Sequence, residues 1–180
     1  MKKLLLVIGI FCCQWVSAQD VGEEKPSHHQ LALVISHAHI PQGIVGTTEK
    51  QWLVLGSWGI DYNYWFNDKW AIGLHTDMVL ENYKVQQTGE DGVEGVLERT
   101  FPVSGALMAV FKPGEHIAMM VGTGGEYSKE ETLYLIRAGA EYGWELPDSW
   151  ELALSLMYDM KVDTYNSWVL GLGVSKRFGR

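Results

Sequence analysis

Between residues 29 and 178, large apolar side chains recur at every second position, and no segment carries a convincing helical repeat. Successive side chains leave opposite faces of a strand, so a period of two commits the chain to β structure. The run 150–161 shows the pattern plainly: Trp150, Leu152, Leu154, Leu156, Tyr158 and Met160 alternate with Glu151, Ala153, Ser155, Met157, Asp159 and Lys161. The run from residue 70 behaves alike, with Trp70, Ile72, Leu74, Thr76, Met78 and Leu80 against Ala71, Gly73, His75, Asp77, Val79 and Glu81. Eight such runs are expected, at 29–40, 51–66, 70–83, 99–111, 116–127, 132–146, 150–161 and 167–178. The fold class that follows is all-β, an eight-stranded antiparallel up-and-down barrel.

The connections alternate in kind. Segments 67–69, 112–115 and 147–149 are tight and carry Asn, Asp, Pro and Gly where turns need them. Segments 41–50 and 86–98 are long, polar and Gly-containing, and 128–131 and 162–166 are intermediate. In a meander, all tight turns then fall at one end and all longer links at the other. Transmembrane barrels have this asymmetry, with short periplasmic turns and longer outer loops.

Periodicity does not say which face is outside, but two features bear on it. Aromatic residues gather at strand ends beside the tight turns: Tyr62, Tyr64, Phe66, Trp70, Phe111, Tyr142, Trp144, Trp150 and Phe178. Amphipathic rings favour the boundary between hydrocarbon and water, so this set reads as an interfacial girdle. The opposite face collects Asp61, His75, Asp77, Arg137, Glu141 and Asp159 at mid-strand, with Lys161 further up. A narrow barrel lumen can pair such groups with each other. The alternative is a soluble calycin-like ligand carrier, with the apolar face turned inward and these charges in solvent.

The N-terminus supplies the compartment. Lys2 and Lys3 precede an apolar run at 4–13, and Val16, Ser17 and Ala18 form a small-residue cleavage pattern. That is the layout of a secretory signal peptide over 1–18. A flexible leader at 19–28 and the barrel at 29–180 then follow. Cys12 and Cys13, the only cysteines, leave with the signal, so no disulfide or thiolate site is expected. Loss of Lys2 and Lys3, with no acid among residues 1–18, takes 14 bases to 12 against 22 acids, a net charge of −10. Nucleic acid is excluded as a partner, because its binding needs a basic face.

The closing segment "WVLGLGVSKRF" sets Trp168, Leu170, Leu172, Val174 and Phe178 on one side and Gly171, Gly173, Ser175 and Arg177 on the other. With this strand, the chain resembles the small eight-stranded outer-membrane β-barrel proteins of Gram-negative bacteria over residues 29–178. The resemblance implies location in the cell outer membrane among its lipids. It also implies that the terminal strand with Phe178 is read by the outer-membrane assembly machinery, although Gly179 and Arg180 follow the Phe here.

Few residues suggest chemistry. His37 and His39 share a strand face and could chelate a metal, but no third ligand has a supporting spacing, so no metal site is expected. His75, Asp77, Glu81, Ser57, Asp61 and Asp159 could supply a hydrolase-like set, yet no lipid-A deacylase or palmitoyltransferase motif is present. A lumen network is the expectation instead: Arg137 with Asp77 or Asp159, Glu141 on the same face, and Lys161 above. The acidic segment 86–98 lacks the ligand alternation of a calcium loop, and 122–126 is no phosphate loop. The function expected is structural or interactive, through outer loops that could meet an extracellular ligand, with no cofactor and no enzyme activity. The enzymatic alternative is a lipid A- or phospholipid-modifying barrel.

Overall fold

A computed structural model describes residues 27–45, 49–88 and 94–179; the expected signal at 1–18 and residues 19–26 lie outside them. The strands are β1 (His28–Val45), β2 (Glu49–Trp65), β3 (Trp70–Val79), β4 (Tyr83–Thr88), β5 (Glu94–Arg99), β6 (Val103–Phe111), β7 (Ile117–Tyr127), β8 (Thr132–Leu146), β9 (Trp150–Lys161) and β10 (Asn166–Phe178). Eight of them form a closed antiparallel barrel in the order β1, β2, β3, β6, β7, β8, β9, β10. The ring closes where β10 pairs back onto β1, from His29 opposite Phe178 to His39 opposite Trp168. Consecutive barrel strands are neighbours, so closure leaves the spanning strands no open edge.

The alternation sorts cleanly between the two faces. Leu31, Leu33 and Ile35 on β1, Leu154 and Leu156 on β9, and Leu170, Leu172 and Val174 on β10 are exposed. Gln30, Ser36, Ser57, Asn63, His75, Arg137, Glu151, Asp159 and Lys161 are buried. Hydrocarbon faces out and charge faces in, the reverse of a soluble protein. Leaving one large aliphatic side chain in water forgoes about 1.5–3 kcal/mol, and about twenty are outside; against lipid that penalty vanishes. The soluble-carrier alternative required the apolar face inside, and the structure has it outside.

The lumen is filled by side chains, as eight strands dictate. Met108, Leu135 and Ile40 are each at most 1% exposed. A Cβ at Gly122 would lie 2.2 Å from the Leu107 carbonyl and 2.4 Å from Met108 Sδ. Glycine there gives the Met108 side chain its space.

The long-loop end differs from the expectation. Strand 70–83 breaks at Val79, and residues 83–88 and 94–99 form a separate hairpin, β4–β5, around the segment 86–98 expected to be a polar loop. Likewise β1 and β2 run on into segment 41–50 as a paired ribbon, with a bulge between Ile40 and Gly43. The hairpin does not stand upright. Val85 pairs with Gly43 of β1, above the level at which β10 begins, so β4 crosses the mouth and takes the edge that β10 leaves free. Its own Val85 on β4 and Arg99 on β5 are fully buried.

Candidate functional site

The lumen is organised around Arg137. Its register partner on β9 is Asp159, and the guanidinium donates from Nε to Asp159 Oδ1 and from a terminal nitrogen to Oδ2, both at 2.7 Å. The same terminal nitrogen reaches across to Asp77 Oδ1 on β3 at 2.5 Å. Three walls of the barrel, β3, β8 and β9, are thus tied by one side chain. Charge-assisted, nearly bidentate contacts of this kind are the strong class of hydrogen bond.

From Asp159 the ion pairs climb towards the mouth. Lys161 Nζ lies 3.6 Å from Asp159 Oδ2, 3.4 Å from Glu126 Oε2 and 2.6 Å from Ser167 Oγ. Glu126 Oε1 accepts from Arg99 Nε at 3.0 Å and from an Arg99 terminal nitrogen at 2.7 Å. Tyr165 donates to the same oxygen at 2.5 Å, and the Tyr83 and Tyr165 hydroxyls are 2.6 Å apart. Burial raises both phenols above their usual range, and the Glu126 carboxylate adds to the effect, so both remain protonated donors. Arg99 also donates to the Glu131 carbonyl at 2.7 Å. Arg99, Lys161 and Arg137 balance Glu126, Asp159 and Asp77, so the ladder is neutral and fastens the β4–β5 cap to the barrel.

Below Arg137 the lumen is arranged differently. His75 Nε2 is 2.9 Å from Asn63 Oδ1, and its Nδ1 is 3.6 Å from Asp61 Oδ2. Asp61 Oδ1 also accepts from the Thr76 amide at 3.2 Å. Ser57 and Ser36 share a hydrogen bond of 2.7 Å. Of the hydrolase-like set, Ser57 is hydrogen-bonded to Ser36, Asp159 to Arg137, and His75 lies beside Asp61. Near the tight-turn end, Glu151 is 3.6 Å from Lys112 and 3.8 Å from Arg177, which also meets Glu145 at 2.8 Å. Trp65 Nε1 donates to Gln30 Oε1, and Gln30 donates to Ser175 Oγ, both at 2.8 Å.

Glu141 faces this lower lumen, with Glu151, Asp61 and Lys112 as its charged surroundings. It takes no part in the Arg137 cluster. Arg99, Glu126, Tyr83 and Tyr165, which carry the upper cluster, went unread in the sequence. Glu126 had a usable signal, since it follows Met120, Gly122 and Gly124 in the inward phase of β7.

On the outer wall, the rings beside the tight turns meet one another. Trp70 and Phe111 are 4.5 Å apart between centroids, Tyr142 and Trp144 4.8 Å, and Tyr64 and Phe66 5.3 Å. Trp150 lies under Lys176 Nζ at 4.9 Å, and Tyr62 takes part in a 2.6 Å hydrogen bond with His29 Nδ1. His29 stacks in turn on Phe178, so rings join across the closing seam. A second set, unread in the sequence, lies at the loop end: Trp52, Phe101, Tyr127, Tyr134 and Trp168 are exposed, and Tyr158 packs on Trp168 at 4.6 Å. His37 and His39 also occupy outward positions, and among the described residues no three His, Cys, Asp or Glu side chains converge as metal ligands.

No protein-family model and no curated protein sequence matches the chain. Solved structures do. The attachment invasion locus protein Ail of Yersinia pestis, crystallised with the heparin analogue sucrose octasulfate, superposes with a TM-score of 0.52 at 14% identity, over 86% of this chain and 100% of that one. The outer membrane protein OprG of Pseudomonas aeruginosa gives a TM-score of 0.55 at 13% identity, over 89% and 100%. The chain has the fold of these small outer-membrane β-barrels, as the resemblance in its sequence implied.

Proposed function

We propose that this protein is an exported, integral outer-membrane barrel that acts as a structural and interaction element, presenting its capped end to the cell exterior. The observation that carries this reading is one combination: a lipid-type exterior around a lumen filled by paired charges and covered by β4–β5. Such a barrel offers partners its outer face and not a passage. The terminal strand with Phe178 would engage the assembly machinery, and outer-membrane lipids would surround the belt.

The kind of partner follows from charge. Ail was crystallised with a polyanion. At the loop end of this chain, Glu81, Glu98, Glu130, Glu131 and Asp163 are exposed against Lys84 and Lys129. Like charge repels sulfated glycans, so a neutral or cationic ligand fits this face better.

Labelling intact cells with a membrane-impermeant amine reagent tests the reading. Lys84 and Lys129 should be modified while Lys69 and Lys176, at the opposite end, are spared until lysis. Modification of Lys69 and Lys176 alone would invert the orientation, and release of the protein by carbonate washing would end the membrane reading altogether.

A further inference from the structure

We propose that the upper end of β1 binds one divalent transition-metal ion through His37 and His39, at the boundary between the outer leaflet and water. The two residues occupy consecutive outward positions on β1. His37 lies opposite Gly56 and Leu170, and His39 opposite Val54 and Trp168. Consecutive outward residues on a strand are about 6.6 Å apart, a span that two imidazoles close when both turn to one ion at about 2.0–2.1 Å.

Three observations favour a ligand here. Neither imidazole has a hydrogen-bond partner among the described residues, whereas His29, His75 and His116 all do. Space is available, because a Cβ at Gly56 would meet no heavy atom within 4 Å. On the same strand, the bulge between Ile40 and Gly43 contains Gln42, whose Oε1 is buried with no hydrogen-bond partner among the described residues; a bulge can re-aim such a side chain, and this oxygen is assigned to the ion.

Two imidazoles with a carboxamide oxygen form a borderline nitrogen–oxygen set, suited to Zn, Cu or Ni and not to Ca or Mg. Trp52, Trp58 and Trp168 are exposed around the pair and mark the interfacial level. Headgroup phosphate or water would supply the remaining oxygen.

Copper(II) titration of the full barrel, followed by electron paramagnetic resonance, tests the site. The barrel is held either in dodecyl maltoside micelles or in phosphatidylglycerol nanodiscs. A saturable component with coupling to two nitrogens is expected, weakened at least about tenfold in His37→Gln and in His39→Gln. His29→Gln should retain that component, and Gln42→Ala should weaken it. His37 and His39 lie on the outer wall, so heat-modifiable gel mobility should be unchanged in their variants and separates lost binding from lost folding. Tighter binding in the nanodiscs would identify phosphate as the completing ligand, and equal binding would identify water. Absence of a saturable component, or one that survives in both His37→Gln and His39→Gln, overturns the site.

Discussion

Replacing Arg137 with Ala removes a side chain that ties β3, β8 and β9 together inside the barrel. Arg137 is 4% exposed, and its partner Asp159 is 1% exposed. Asp159 would keep Lys161 at 3.6 Å, whereas Asp77 would lose the one ion pair it makes among the described residues. Breaking a buried pair by removing one partner costs about 3–5 kcal/mol, because the charge left behind is uncompensated. Asp77 is 16% exposed at its side chain. Water can therefore reach it in part, which places the loss towards the lower end, about 3 kcal/mol. The assay is urea unfolding from lipid vesicles, followed by tryptophan fluorescence and by heat-modifiable mobility. Adding Asp77→Asn to the Arg137→Ala barrel removes the stranded charge and should recover about 1–2 kcal/mol. A loss within about 0.5 kcal/mol, the range of an ordinary surface substitution, would refute the bridging role. So would a double variant less stable than Arg137→Ala alone.

Other expectations concern the cap. Glu126→Gln leaves Arg99 and Lys161 without the carboxylate they share, and should loosen β4–β5 by about 3 kcal/mol; faster hydrogen exchange at amides 83–85 and 97–99 with an intact barrel reports it, and unchanged exchange refutes the latch. Tyr165→Phe removes one donor to Glu126 and should cost about 1 kcal/mol by the same readout. The base of the cap should also respond to acid. Hydrogen bonds from the Ser128 and Thr100 hydroxyls hold the exposed Glu130 carboxyl down at about 2, from its usual 4.5. A depressed value means the contacts are fully present above pH 4.5 and fade as pH falls through about 2. Protection of the Thr100 amide, which donates to Glu130 at 3.2 Å, should follow that titration, and Glu130→Gln should abolish the dependence.

The barrel was legible because its strands obey one period from end to end, and the inward charges share its phase. Partner choice was less so, for reasons of geometry. Arg137 and Glu141 share a face, but four residues along a strand span about 13 Å, so a common face is not a contact. The pairing of Arg137 with Asp159 was available from the turn: the two are equidistant from Asp148, and an antiparallel hairpin places such residues opposite one another. The cap was hidden for a different reason. Tyr83, Val85, Leu97 and Arg99 alternate like any strand, yet they flank a Gly-rich acidic stretch that reads as loop. Their burial is decided by residues distant in sequence, Gly43, Glu126 and Tyr165. The loop-end aromatics kept the outward phase, and only their separation by long connections obscured the second ring.

The phase of the alternation is the most direct test of all. A chain starting at residue 19 carries no cysteine, so single cysteines can be introduced along β10 and spin-labelled in lipid vesicles. Labels at Leu170, Leu172 and Val174 should relax strongly with oxygen dissolved in the bilayer, and those at Val169 and Ser175 should be shielded from it. The opposite phase, with Val169 and Ser175 in lipid and Leu172 shielded, would contradict a barrel that turns its apolar face outward.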